Sequence, residues 1–173
     1  MKNGAELLLR NGEEDDGAAL LAIFNQTHAE TDFLLTYPDE TTFTVEKESE
    51  FLKQNAADPR SIEILAFLGE KLVGSAGFYA VKSVAKLKHR AEFGISVLKE
   101  YWGLGIGSAL TAACVDCAKE AGYRQLELDV VAENAAAIAL YKKHGFVEFG
   151  RNPRGFLLRT GEYQELVNML LVL

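Results

Sequence analysis

The sequence is poor in several features, and each shortage excludes a class of protein. Three prolines in 173 residues and no biased tract argue against a disordered arm or a long flexible linker. Basic charge is in deficit: 18 lysines and arginines stand against 25 acidic residues, a net charge of −7, which argues against a nucleic-acid partner. The same balance is compatible with a cationic or amine substrate. The most apolar stretch, residues 166–173, is far too short to span a bilayer. Residues 1–6 lack the apolar run and cleavage site of a signal peptide, so a cytoplasmic location without membrane attachment is expected. The three histidines, His28, His89 and His144, are scattered without ligand spacing, and no metal is expected. Only two cysteines occur, Cys114 and Cys117, with no second pair to complete a zinc site. Their surroundings read as mid-helix, whereas redox pairs of this spacing sit at helix starts, so they read as small buried helix residues.

What is present is ordinary for a globular chain: 49% hydrophobic and 25% charged residues, at a length that suits one domain over residues 1–173. Short apolar runs alternate with helical stretches, which predicts an α/β fold of the α+β type. Residues 6–10 read as a strand. A helix capped by Asp15 or Asp16 follows, with Leu20, Leu21, Ile23 and Phe24 on one side. A short helix is expected over residues 31–37, stopping before Pro38, and another from Thr44 to about residue 55. Residues 61–67, 72–81 and 89–98 read as three successive strands, antiparallel because no crossover separates them. Then come a helix over 105–122, a strand over 125–131 and a helix over 134–144 ended by Gly145. Strands over 146–149 and 162–173 complete a mixed, mostly antiparallel sheet of about seven strands flanked by helices.

The strongest local feature is the loop over residues 102–108, Trp102-Gly103-Leu104-Gly105-Ile106-Gly107-Ser108. A strand runs into three glycines at alternate positions, and these open a helix. The first turn of a helix offers unpaired N–H groups and the positive end of its dipole, so phosphates can bind there without a basic side chain. Tight helix–sheet packing is the plainer reading of Gly105 and Gly107. The absence of Gly-Lys-Ser/Thr excludes a P-loop, and a preceding hairpin rather than a βαβ series disfavours a Rossmann loop.

A second motif lies downstream, where residues 134–146 read Asn-Ala-Ala-Ala-Ile-Ala-Leu-Tyr-Lys-Lys-His-Gly-Phe. Together with the glycine loop, this closely resembles the GNAT acetyltransferase superfamily, whose members carry Q/R-x-x-G-x-G/A and, further on, N-x-x-A-x-x-L-Y-x-x-x-G-F. The matching residues are Gly105 and Gly107, then Asn134, Ile138, Leu140, Tyr141, Gly145 and Phe146. The resemblance covers residues 72–149, and it departs from the pattern at Trp102, which stands where Gln or Arg is usual. It implies a sheet splayed at an acyl-CoA cleft and acetyl-CoA as co-substrate.

The resemblance also distributes roles. Ile95, Ser96 and Val97 would lie along the pantetheine arm, with backbone groups of Ile95 and Val97 pairing its amides. Trp102, Gly103, Leu104, Gly105, Ile106, Gly107 and Ser108 would hold the phosphates, and Asn134, Ala137 and Tyr141 the other side of the cofactor. Gly94 reads either as a bulge that splays its strand or as a packing glycine.

Transfer of an acetyl group to an amine needs a neutral amine, a polarised carbonyl and a proton for the leaving thiolate. Tyr141 is the candidate donor to the thiolate, against the plainer reading of a core tyrosine. Glu92 is the candidate acceptor of the amine proton, against that of a solvated glutamate. Thr31, Phe33 and Tyr37 lie where the family builds its acceptor pocket, and Glu92 would also border it. The expected activity is N-acetylation of a small-molecule amine or a peptide N-terminus. The rival, from another class, is a silent acyl-CoA-binding sensor. A homodimer through the apolar final strand is a further expectation.

Overall fold

The computed structural model describes residues 6–173; the start of the chain, read above as lacking a signal peptide, lies outside the described residues for Met1 to Ala5. The chain begins with β1 (Leu7–Asn11) and passes through a one-turn 3-10 helix (Glu14–Asp16) into α1 (Gly17–Glu30). The carboxylate of Asp16 does not cap α1. It accepts two hydrogen bonds from the Arg10 guanidinium, each 2.6 Å, and one from the Glu13 N–H at 2.8 Å, tying β1 to the helix start. A Cβ on Gly17 would fall 2.3 Å from Ser49 Oγ, so glycine is what lets α1 approach α2 (Val45–Ala57). Thr44 caps α2 as expected, its hydroxyl accepting the Lys47 N–H at 3.3 Å.

Three consecutive strands follow, β2 (Ile62–Leu68), β3 (Lys71–Ala80) and β4 (Arg90–Val97). They pair antiparallel, as their short connections require. A crossover through α3 (Ile106–Glu120) then leads to β5 (Gln125–Val131), which runs parallel to β4. Helix α4 (Ala135–Lys143) and the hairpin β6 (Val147–Leu157) and β7 (Tyr163–Val172) complete the chain. The seven-stranded sheet has the order β1-β2-β3-β4-β5-β7-β6. Its two faces carry separate cores. Leu20 and Ile23 of α1 and Leu52 of α2 cover Leu65, Phe67, Leu72 and Leu98 on one side. On the other, Ile106, Leu110 and Cys114 of α3 pack with Val73, Phe78, Phe93, Leu128 and Val167. Cys114 is fully buried there, and burial pushes both thiols up, as suits packing residues.

Three local expectations are corrected. Residues 31–37 form turns and bends rather than a helix; the 3-10 turn lies one step later, at Pro38–Glu40. Gly94 is no bulge, since β3 and β4 stay in unbroken register from Gly74–Val97 to Ala80–Ala91. The strand expected to end at Phe149 runs on to Leu157. It crosses Pro153 through register shifts between Glu148 and Gly150 and between Asn152 and Phe156. An edge strand tolerates both, because its outer N–H groups need no ladder partner.

Candidate active site

The site starts where two strands part. β4 and β5 pair only at Arg90–Gln125, Ala91–Leu126 and Glu92–Glu127. Beyond Glu92, β4 stays paired to β3 as far as Val97, and β5 to β7 as far as Val131, so both remain strands while the gap between them opens. The short paired stretch is clamped: the Arg90 guanidinium grips the Glu127 carboxylate, one of its bonds being 2.6 Å, and Gln125 adds another at 2.8 Å. Arg90 therefore holds the Glu127 carboxyl below the usual glutamate range.

Arg90 and Leu98 both bond to β3, so the even-numbered residues of β4 direct their backbone groups to β3. The backbones of Ile95 and Val97 consequently turn toward the gap. One of those groups is already engaged: the Trp102 indole N–H donates to the Val97 carbonyl at 2.7 Å. Trp102 is thus a tie between loop and strand, a role its position in the motif did not reveal. The backbone of Ile95 lies deeper in the gap, while Ser96 faces the other way, across from Ser75.

The glycine loop divides into two kinds of glycine. Gly103 and Gly105 adopt φ of +76° and +94°, and a Cβ on either would meet nothing within 4 Å, so backbone conformation and not crowding demands them. Gly107 differs, because its Cβ would come 3.2 Å from Leu140 Cδ2, at the crossing of α3 and α4. The loop ends in the first turn of α3, whose N–H groups at Ile106, Gly107 and Ser108 have no intrahelical acceptor. That turn carries no acidic residue. Lys143 donates from Nζ to Ser108 Oγ at 3.1 Å, and His144 Nε2 lies 2.9 Å from the same oxygen. Burial and the adjacent Lys143 hold the His144 imidazole below the usual histidine range. A lysine at the positive end of a helix is electrostatically unfavourable alone and favourable with an anion between them. Sequence reasoning missed Lys143 and saw in His144 a histidine without ligand spacing. Their signal was the Lys142-Lys143-His144 run just ahead of Gly145-Phe146, brought to α3 by the Gly107–Leu140 contact.

On α4, Asn134 Oδ1 caps the helix by accepting the Ala137 N–H at 3.1 Å. Two turns on, Tyr141 is buried, with its ring edge-on to Phe93 at 6.2 Å and tilted against Phe146 at 5.7 Å. Its hydroxyl has no hydrogen-bond partner among the described residues, and burial pushes its pKa up, so it is a held proton. Glu92, at the fork of the strands, is exposed and without a partner among the described residues.

The acceptor candidates separate. Thr31 and Tyr37 line a cavity of about 190 Å³ that Phe33 does not border. Its far wall is Gly155, Phe156 and Leu157 of β6, residues missed because the strand was expected to stop at Phe149. The two walls are clasped: the Arg159 guanidinium lies 4.1 Å over the Tyr37 ring and donates to Asp39 Oδ1 at 2.8 Å, while the backbone N–H of Arg159 donates to Tyr37 Oη at 3.3 Å. Among the described residues, no helix is long and apolar enough to cross a membrane.

Residues 22–146 match the model of the acetyltransferase (GNAT) family, extending the likeness well ahead of the region legible from the motifs. The chain is 29% identical over 168 residues to the L-amino acid N-acetyltransferase AaaT of Escherichia coli (strain K12), covering 95% of this chain and 97% of that protein. Among solved structures, an acetyltransferase of the GNAT family from Streptococcus pneumoniae superposes with a TM-score of 0.93 at 34% identity, over 97% of this chain and 100% of that one. The fold is also that of yncA from Salmonella typhimurium, solved with acetyl-CoA, at a TM-score of 0.85, 20% identity and coverage of 96% and 93%.

Proposed function

The chain belongs to the acetyltransferase (GNAT) family, and from that premise we propose that it transfers the acetyl group of acetyl-CoA to the primary amine of a small molecule or a peptide N-terminus. The observation that carries this reading is the parting of β4 and β5 directly after Glu92. It opens a slot whose near end holds an unpartnered carboxylate and whose walls are an unpaired strand backbone and the α4 tyrosine. Residues fit for the cofactor surround it. The first turn of α3 with Gly103 and Gly105 offers an anion cradle in which added Cβ atoms would meet open space, and Lys143 supplies charge beside it. Ile95 offers backbone groups for an extended amide arm, and Asn134 and Ala137, at the capped start of α4, would take its other side. Acetyl-CoA supplies the activated acyl group; the chain supplies orientation, water exclusion and proton movement.

Within that frame Glu92 takes the proton of the incoming ammonium, and Tyr141 returns one to the departing sulfur. The amine attacks directly in a ternary complex, the C–N bond forming as the C–S bond breaks, and the second proton shed by the acylated nitrogen restores the one that Tyr141 gave to sulfur. Thr31 and Tyr37 border the acceptor, and the amino-acid acetyltransferase relative supports an amino acid or its peptide counterpart as the first acceptors to try. Residues 1–173 act as one domain in this reading. The final strand is not available for a homodimer, because β7 lies between β5 and β6 with both edges paired; a dimer would have to use the edge strand β6, where Val147, Phe149 and Leu157 are each more than half exposed. Sedimentation at micromolar concentration tests it, a monomer overturning the dimer.

The activity is tested by free thiol release from acetyl-CoA across a panel of amino acids, peptides and polyamines, with Glu92→Gln as the paired variant. Turnover with at least one amine, depressed far more in the variant than acetyl-CoA affinity is, would support the assignment. Binding of acetyl-CoA with no turnover across the panel would leave a sensor in its place.

A further inference from the structure

One buried titratable group has no part in the chemistry above. Glu63 on β2 is 8% exposed, lies on the α2 face of the sheet, and receives a 2.5 Å hydrogen bond from the Tyr79 hydroxyl. It occupies a place cut out for it. A Cβ on Gly77, the residue opposite Glu63 on β3, would sit 2.4 Å from Glu63 Oε2 and 2.8 Å from Tyr79 Oη. The next strand repeats the glycine: Gly77 is paired with Gly94 on β4, and a Cβ on Gly94 would meet nothing within 4 Å. The carboxyl–phenol pair therefore lies about one strand spacing, roughly 4.8 Å, from empty space over Gly94. That space adjoins the gap between β4 and β5. It lies two residues from Glu92, which is itself cross-strand to Tyr79 on the same face. Tyr79 is only partly covered, whereas Glu63 has no exposed route of its own.

The geometry points to Glu63 as a positioning residue and terminal proton acceptor for the acceptor amine, acting through the hydroxyl of Tyr79. This rests on the acetyltransferase reading of the cleft and adds a second proton route to it. The acceptor enters as an ammonium and sits over Gly94 with one N–H directed at Tyr79 Oη, which offers the same proton a destination alternative to Glu92. That proton passes to the phenol oxygen as the phenol's own proton passes to Glu63 Oε2. The sum is a neutral amine and a protonated Glu63, with Tyr79 unchanged. The nitrogen lone pair then forms the C–N bond as the acyl C–S bond breaks, Tyr141 protonates the departing sulfur and is restored by the second proton shed from nitrogen, and Glu63 returns its proton to solvent by the same path after product leaves.

The surroundings suit a carboxyl that exchanges protons rather than one locked in an ion pair. Desolvation pushes Glu63 upward, and Glu48 on α2 adds to it, while the Tyr79 and Ser75 hydroxyls pull it back; no cation contributes. The other groups facing the pair are the carboxamide of Asn55 on α2, Glu92 on β4 and, from the opposite side of the sheet, Cys114 on α3. Asn55 Nδ2 is buried without a hydrogen-bond partner, so the chamber holds a donor free to answer a change of charge.

The test is the pH dependence of kcat/KM for an amine that the wild-type protein acetylates, measured for wild type, Glu63→Gln and Tyr79→Phe, with the KM for acetyl-CoA alongside. Glu63→Gln keeps an acceptor for the Tyr79 hydroxyl and removes the proton acceptor; Tyr79→Phe keeps the ring and removes the relay. Each is expected to lower kcat/KM about 10- to 100-fold near neutral pH, with acetyl-CoA KM unchanged. The deficit should shrink as pH rises toward the amine's own pKa, because solution then supplies neutral amine. A deficit constant across pH, or one accompanied by an equal loss of acetyl-CoA binding, means a structural role and overturns the proposal. If Glu63→Gln does not fold, Tyr79→Phe with a wild-type pH profile overturns it alone. Wild-type protein inactive on every amine would sink the acetyltransferase reading itself, whereas an active wild type with unchanged variants sinks only the relay.

Discussion

A hydroxyl with no hydrogen-bond partner among the described residues can be removed at little cost to the fold, and this makes Tyr141 a clean probe at the scale of one residue. Its ring fills the core between Phe93 and Phe146, and Phe would fill the same volume. Tyr141→Phe should leave the melting temperature within about 2 °C, since no net hydrogen bond of roughly 1 kcal/mol is lost. Turnover should fall about 100-fold with acetyl-CoA KM unchanged, the size expected of a lost general acid. Steady-state kinetics beside a thermal melt checks both, and an unchanged kcat would reduce Tyr141 to a core residue. Asp16 gives a second prediction of this kind. The Arg10 hydrogen bonds hold its carboxyl below the usual aspartate range, so the folded state binds a proton less readily than the unfolded chain. Its contribution is therefore complete above the unfolded value near 4 and is lost as pH falls through the lower folded value. Asp16→Asn should flatten the acid limb of a pH–stability curve over that window; a curve superimposable on wild type would show the pair to be inert.

At the scale of elements, the two glycines that the motif treats alike are not alike. Gly105 stands at +94°, where alanine costs about 1–2 kcal/mol, and nothing crowds it. Gly105→Ala should therefore move the loop, lowering acetyl-CoA affinity at least 10-fold by calorimetry. Gly107→Ala keeps helical geometry and presses on the end of the flexible Leu140 side chain at 3.2 Å, so its affinity should stay within a few-fold of wild type. Equal losses in the two would mean that the loop binds through crowding and not through backbone shape. The loop was legible because alternating glycines after a strand have a backbone reason that sequence exposes. The α4 site residues were legible through spelling, Asn134 through Phe146. Elements governed by neighbours were not. Gly150, Asn152, Pro153 and Gly155 look like a strand ending, yet β7 carries β6 through all four, and with it the far wall of the acceptor cavity. Glu63 looked like one polar residue in a strand, because nothing in the sequence shows that Gly77 and Tyr79 fold onto it.

At the scale of the whole molecule, the sheet is two half-sheets joined by three residue pairs, and the chain bridges their open ends a second time. The Arg90–Glu127 clamp closes the gap at the start of β4. At its end, the Lys99 N–H donates to Glu30 Oε2 at 2.8 Å, which brings the C-terminus of α1, and the loop that follows, to where β4 finishes. β7 pairs Leu166 with Val131, so the β6–β7 turn projects past the end of β5 on that same side. The Arg159 clasp on Tyr37 and Asp39 therefore joins the two halves across the mouth of the gap, through residues about 120 apart in sequence. Its members are exposed and screened by solvent, so it adds little to global stability and is easily opened. A clasp of that strength suits a wall that must let acceptor in and still hold it. Arg159→Ala should leave the melting temperature within about 2 °C and acetyl-CoA affinity unchanged, since the phosphate cradle lies on α3. The acceptor KM should rise several-fold, and wild-type activity should lose acceptor affinity in high salt while the variant does not. Initial rates at two ionic strengths check this. An acceptor KM unaffected by the substitution would place the amine entrance elsewhere and leave the clasp a surface tie.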